Sequence, residues 1–238
     1  MEKMDTNLNF LIYGRDSQSD ALKDSLMENS LQVLNLLLQI VRGFLKLQSL
    51  LFPYMIIKPE NVLINHNIVN DRVEITAVKL TVSKMFKQVS NVYMSDRPYM
   101  APEIENDNCT DSPKQHAYNF GVLLGEIICG LEAISKSEYT YEKFIERGYG
   151  TLYYLYESCI KSELSERADL ETIALHLEIL FKKEELNQLQ AMAEQMMSDV
   201  TKKMDQVEDQ YNIQYSKINE SKNALINSVE ERATTIQQ

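Results

Sequence analysis

The chain has 238 residues, 44% of them apolar, and a formal net charge of −11. That length and apolar content suffice for one packed domain plus an extension, and the acidic balance disfavours nucleic acid, whose binding rests on a basic surface and counterion release. The most apolar run, Leu31 to Phe52, is broken by Gln32, Asn35, Gln39, Arg42, Lys46 and Gln48, and Met1 to Asp5 lacks the basic-then-apolar order of a secretory signal, so neither a membrane span nor secretion is expected and the chain reads as soluble and intracellular.

Taken in chain order, the first strong element is a helix over Leu31 to Leu47, apolar on most of its circumference, with Asn29 or Ser30 as its cap. Val62 to Asn65 and Val73 to Leu80 are rich in β-branched residues, and Asn67, Asn70 and Asp71 between them predict a small hairpin. A second buried helix is expected from Tyr118 to Ile134, followed by helices over Tyr141 to Ile145, Leu152 to Ile160 and Leu170 to Phe181. All seven glycines and all five prolines lie at or before Gly150, so the remaining chain is free to be helical. From Leu186 to Ile236 apolar residues sit mostly three or four apart, with a slip from a strict heptad at Val200 to Met204. Such a helix wants a partner, and its mixed Met, Ala, Tyr and Val seam argues against a tight homodimer. Cys109, Cys129 and Cys159 are odd in number and far apart, which fits plain thiols rather than a disulfide framework or a metal site.

The run Lys58-Pro59-Glu60-Asn61-Val62-Leu63, preceded by two helices and followed by the strand Ala77 to Thr81, resembles the hinge-to-catalytic-loop part of a protein kinase. Tyr99-Met100-Ala101-Pro102-Glu103 resembles the end of an activation segment, and Tyr118 to Ile127 the central buried helix of the large lobe. The resemblance covers about Phe10 to Phe181. It implies a mainly α (α+β) fold: residues 1–18 as an N-terminal segment with a hinge-like strand at Phe10 to Tyr13, residues 19–181 as the kinase large-lobe-like domain, and residues 182–238 as a coiled-coil-like helix. It also implies that Arg167 pairs with Glu103, and that His116 stands where the family has an aspartate supporting the catalytic loop.

Departures from the family pattern bear on activity. Kinases need one aspartate to accept the substrate hydroxyl proton and another, with an asparagine, to hold magnesium. Here the matching positions carry Ile56 and Val82, within Tyr54-Met55-Ile56 and Val82-Ser83-Lys84, and neither side chain binds a hard cation or takes a proton. Nothing before Phe10 in this sequence resembles the small lobe that roofs ATP. The resemblance thus implies a degenerate, catalytically dead kinase with no cofactor and no metal.

Lys58 and Asn61, the remnants of the catalytic loop, read as scaffold rather than as a phosphate site. With no small lobe, Phe10, Leu11, Ile12 and Leu63 would face outward as an apolar interface, covered by another chain or by the tail. Tyr139, Tyr141, Tyr149, Tyr153, Tyr154 and Tyr156 cluster together, and Tyr153 and Tyr156 are candidates for a contact surface. The leading expectation is a non-enzymatic scaffold subunit of a larger intracellular assembly, cytoskeletal or ciliary in style, binding proteins through the long helix and the uncovered top of the lobe. The alternative is a residual nucleotide-binding or kinase-regulating module built on the remnant loop or the activation-segment face.

Overall fold

A computed structural model describes residues 3–14, 16–50, 56–70, 72–81, 96–105 and 113–236. The chain forms two compact units, Met1–Glu184 and Glu185–Gln238. The elements of the first unit are β1 (Thr6–Asn7), α1 (Leu8–Tyr13), α2 (Ser17–Met27), α3 (Ser30–Ser49), β2 (Val62–Val69), β3 (Arg72–Leu80), α4 (Pro102–Glu105), α5 (Lys114–Cys129), α6 (Tyr141–Glu146) and α7 (Gly150–Cys159). Short 3-10 turns occupy Pro59–Asn61, Arg97–Tyr99 and Ala133–Glu138, and α8 (Leu170–Ile236) begins in the first unit and runs through the second. The fold is mainly helical, with one small antiparallel sheet in the order β1-β2-β3 and a long C-terminal helix compatible with a coiled coil.

Several elements differ from the sequence-based expectation. Phe10 to Tyr13 is helix, not a hinge-like strand. The Asn7 side chain accepts the Phe10 N–H at 2.9 Å, which caps a helix immediately after the two-residue strand. That segment folds over the first unit itself: Leu8, Leu11 and Ile12 are buried, Phe10 is half-buried, and β1 pairs Asn7 with Leu63. The proposed outward apolar face of Phe10, Leu11, Ile12 and Leu63 is therefore already covered by this chain. The second core helix stops at Cys129, short of Ile134, because Gly130 takes the left-handed conformation (φ +67°) in which its N–H closes on Glu126 O at 2.8 Å. The helix expected over Leu170 to Phe181 and the one expected from Leu186 onward form a single helix, α8, which contains no glycine or proline.

The strongly apolar α3 starts at its Asn29 cap, whose side chain accepts the Gln32 N–H. By length and mean hydropathy it matches a membrane-crossing segment, unlike the expectation from its polar interruptions. Its eight buried residues instead pack in the core. Gln32, Asn35 and Gln39, which interrupt the apolar run, lie along the β3 edge. Gln32 accepts Ile75 N–H (2.8 Å), Asn35 donates to Ile75 O (3.1 Å), Gln39 accepts Val78 N–H (2.9 Å), and Ser25 of α2 accepts Val73 N–H (2.9 Å). Backbone groups that an edge strand would leave unpaired are thus bonded by side chains of the helices beneath it.

Replacing Gln32 with leucine removes the acceptor for a buried backbone N–H, which costs roughly 1–3 kcal/mol. Urea unfolding of Gln32→Leu is expected to show that loss. Unchanged stability would mean the edge bond contributes nothing.

Candidate functional site

The loop before β2 is shaped from below by α5, which is buried from Gln115 to Cys129. A helix enclosed on every side must place its polar groups against partners, and α5 has two such side chains facing the loops around it. Asn119 accepts the Ile57 N–H and donates to the Ile57 carbonyl, both at 2.7 Å. This two-way clamp fixes the backbone next to Ile56. The support that the resemblance assigned to His116 comes from Asn119, one helical turn on. His116 packs its ring against Phe44 with centroids 5.8 Å apart.

Ile56 is buried, at 8% exposure. Lys58 reaches Asp96 with Nζ to Oδ1 at 3.0 Å. Asn61 is turned inward, its Oδ1 accepting Lys58 N–H at 3.3 Å and its carbonyl accepting Thr81 N–H at 2.8 Å. Lys58 and Asn61 thus come together, and their polar groups serve the loop, Thr81 and Asp96. Val82, Tyr54, Met55, Ser83 and Lys84 lie outside the described residues, as does Cys109. No group of three metal-ligating side chains occurs among the described residues.

The structure brings Glu103 and Arg167 together. Arg167 Nη1 and Nη2 donate to the two oxygens of Glu103 at 2.7 and 2.9 Å. Its remaining donors go to the carbonyls of Lys161, Lys114 and Ser162 at 2.9, 3.1 and 3.4 Å, and the guanidinium lies 5.2 Å from the Tyr118 ring centroid. All five N–H groups of a side chain that is 1% exposed are used, and lysine's three donors would not fill those acceptors.

The second polar group of α5 is Glu126, which sequence reading passed over. Its Oε1 accepts from Tyr13 Oη (2.9 Å), Tyr99 Oη (2.8 Å) and Ala133 N–H (2.8 Å). One oxygen therefore ties together α1, the turn before Ala101-Pro102-Glu103, and the segment after α5. Oε2 is buried and has no hydrogen-bond partner among the described residues. Burial pushes the Glu126 carboxyl up from 4.5 to about 7 against the three donors that favour its charged form. Burial and the same carboxylate push the Tyr13 and Tyr99 hydroxyls well above their ordinary value.

Of the tyrosine cluster, Tyr139, Tyr149 and Tyr156 are buried and Tyr153 is half-buried among Tyr141, Phe144 and Tyr156. Tyr156 does not offer a contact surface. The outward rings are Tyr141 and Tyr154, 5.8 Å apart. Cys129 and Cys159 are buried thiols whose pKa values burial raises to about 11 and about 12, which keeps them protonated and unreactive. Compared with known proteins, the chain matches no family model, and no curated protein matches it at a significant level.

Two outcomes are expected from this geometry. Glu103→Ala leaves the Arg167 charge buried without its partner and should cost roughly 3–5 kcal/mol in urea unfolding; a loss under about 1 kcal/mol, the scale of an exposed pair, would contradict the pair's burial. For Glu126, the folded state holds its proton more tightly than the unfolded chain. Its contribution is therefore full below pH 4.5 and is lost as pH rises through about 7, a change on the order of 3 kcal/mol. Glu126→Gln keeps the accepting oxygen and puts an amide where Oε2 lies. Its stability should be flatter than the parent's between pH 4.5 and 7 and higher than the parent's at pH 8, read by chemical denaturation across that range.

Proposed function

We propose that this chain is a non-catalytic module derived from the large lobe of a protein kinase, joined to a pairing helix, and that it serves as a scaffolding subunit binding other proteins in a larger intracellular assembly. The observation that carries the binding half is the helix of the second unit. From Leu186 to Val229 its large apolar side chains are exposed, and the unit contains nothing else to cover them. An exposed apolar seam of that length marks an interface.

The kinase-derived half is supported by three local arrangements in the order the resemblance requires. The Lys58-Pro59-Glu60-Asn61 loop precedes a strand pair, Glu103 of Ala-Pro-Glu is locked to Arg167, and the central helix α5 is buried and holds the loop backbone. The non-catalytic character is supported by an aliphatic, buried Ile56 where a proton acceptor is needed. A Lys58 held by Asp96 supports it further. These features disfavour a nucleotide sensor working through Lys58 and Asn61.

The test pairs two measurements on purified full-length chain. Saturating magnesium ATP should leave the melting temperature unchanged, whereas a ligand at about 100 times its Kd stabilises a native state by roughly 2.7 kcal/mol. A chain ending at Phe181 should lose the proteins that the full chain retains in a native pull-down. A nucleotide-dependent shift, or retention by the truncated chain, would overturn the scaffold reading in its present form.

A further inference from the structure

The seam of α8 has a symmetry that names its partner. Starting at Leu186, the seam advances in steps of 3, 4, 3, 4, 4, 3, 4, 4, 3, 4 and 3 residues to Leu225, apolar at every position except Lys222, and the series reads the same in reverse. Its midpoint falls between Asp205 and Gln206. Two four-four slips, at Val200 and at Tyr211, are each other's mirror image across that point. Such slips change the local pitch of a coiled coil, so partners must carry them at matching levels.

We propose that the segment Leu186–Leu225 pairs with the same segment of a second copy of this chain, antiparallel and centred on Asp205–Gln206. This rests on the reading of α8 as a pairing helix and adds the identity and direction of the partner. In this arrangement each slip lies level with the other copy's slip. Large side chains meet small or flexible ones: Val200 is level with Tyr211, Met196 with Tyr215, and Ala193 with Ile218. Lys222 is level with Leu189, along which its aliphatic stem can lie while the ammonium reaches water.

The parallel, in-register alternative sets Tyr211 on Tyr211, Ala193 on Ala193 and Lys222 on Lys222, crowding one layer, leaving a void in another and burying like charges in a third. Charges outside the seam agree with the antiparallel order. Glu194 is level with Lys217, Lys202 with Asp209 and Lys203 with Glu208, whereas a parallel pair sets every charge level with its like. The seam side chains from Leu186 to Leu225 are exposed on an unbroken helix. About 60 Å of two-stranded contact buries on the order of 1,000 Å² per partner, above the about 800 Å² typical of a stable interface. The mixed seam that, read along one helix, argues against a tight homodimer is accommodated when large side chains lie level with small ones across an antiparallel pair.

Sedimentation equilibrium of the full chain at micromolar concentration should give a dimer, with Val200→Asp shifting it to monomer while circular dichroism of the first unit's helices persists. For direction, Val200→Cys and Tyr211→Cys chains are mixed, oxidised, digested and read by mass spectrometry, which separates the new link from the native thiols. The expected product joins position 200 of one copy to position 211 of the other. Val200→Cys alone should give no self-link, because its two copies lie about 16 Å apart along the axis, beyond disulfide reach. A 200-to-200 link would overturn the antiparallel register. A monomer would overturn the pairing altogether, and if that monomer still loses its bound proteins on truncation at Phe181 the scaffold reading stands without it.

Discussion

The first unit depends on the enclosure of α5. A helix buried along its whole length has no solvent to satisfy its polar side chains, so each one it carries must meet a partner brought from elsewhere in the chain. Asn119 and Glu126 are two of its four buried polar residues, with Gln115 and His116, and their partners are distant in sequence: Ile57 for the first, Tyr13 and Tyr99 for the second. The loop before β2, the N-terminal helix and the turn before Ala101-Pro102-Glu103 are positioned because α5 requires hydrogen bonds there. Leu8, Leu11 and Ile12 then add apolar burial to a segment already tied by Tyr13.

Glu103, half-buried, and Glu126, buried, meet the cost of a shielded carboxyl in opposite ways. Glu103 keeps its charge beside a guanidinium whose every donor is used. Glu126 has only neutral donors, all on one oxygen, and responds by holding its proton toward neutral pH. The first locks α4 to the segment before α8. The second makes the packing around α5 sensitive to pH in a range where most carboxylates have already titrated.

The edge of the small sheet follows the same logic. Gln32, Asn35 and Gln39 lie at i, i+3 and i+7 on α3 and read, in a linear sequence, as blemishes in an apolar run. In the fold they are the acceptors and donors for Ile75 and Val78, and they make α3 a core helix whose polar stripe faces a strand. Their role depends on β3 arriving alongside, and β3 begins more than thirty residues further along the chain.

Local and periodic features were set by the sequence itself. Helix α3 with its Asn29 cap, the β2–β3 hairpin around Asn70 and the long uninterrupted helix α8 follow from apolar spacing, turn residues and the absence of breakers, all of which act within a few residues. The Glu103–Arg167 pair was legible through a resemblance to a family whose activation segment ends that way. Tertiary structure alone decided the rest. Phe10 to Tyr13 became a cap on the lobe instead of an exposed strand. The clamp on Ile57 fell to Asn119 rather than His116, Tyr156 turned inward while Tyr154 stayed out, and Glu126 became a hub. The physical reason is common to all of these: burial and hydrogen-bond satisfaction are properties of what lies across the gap, and the residues across each gap are far away along the chain.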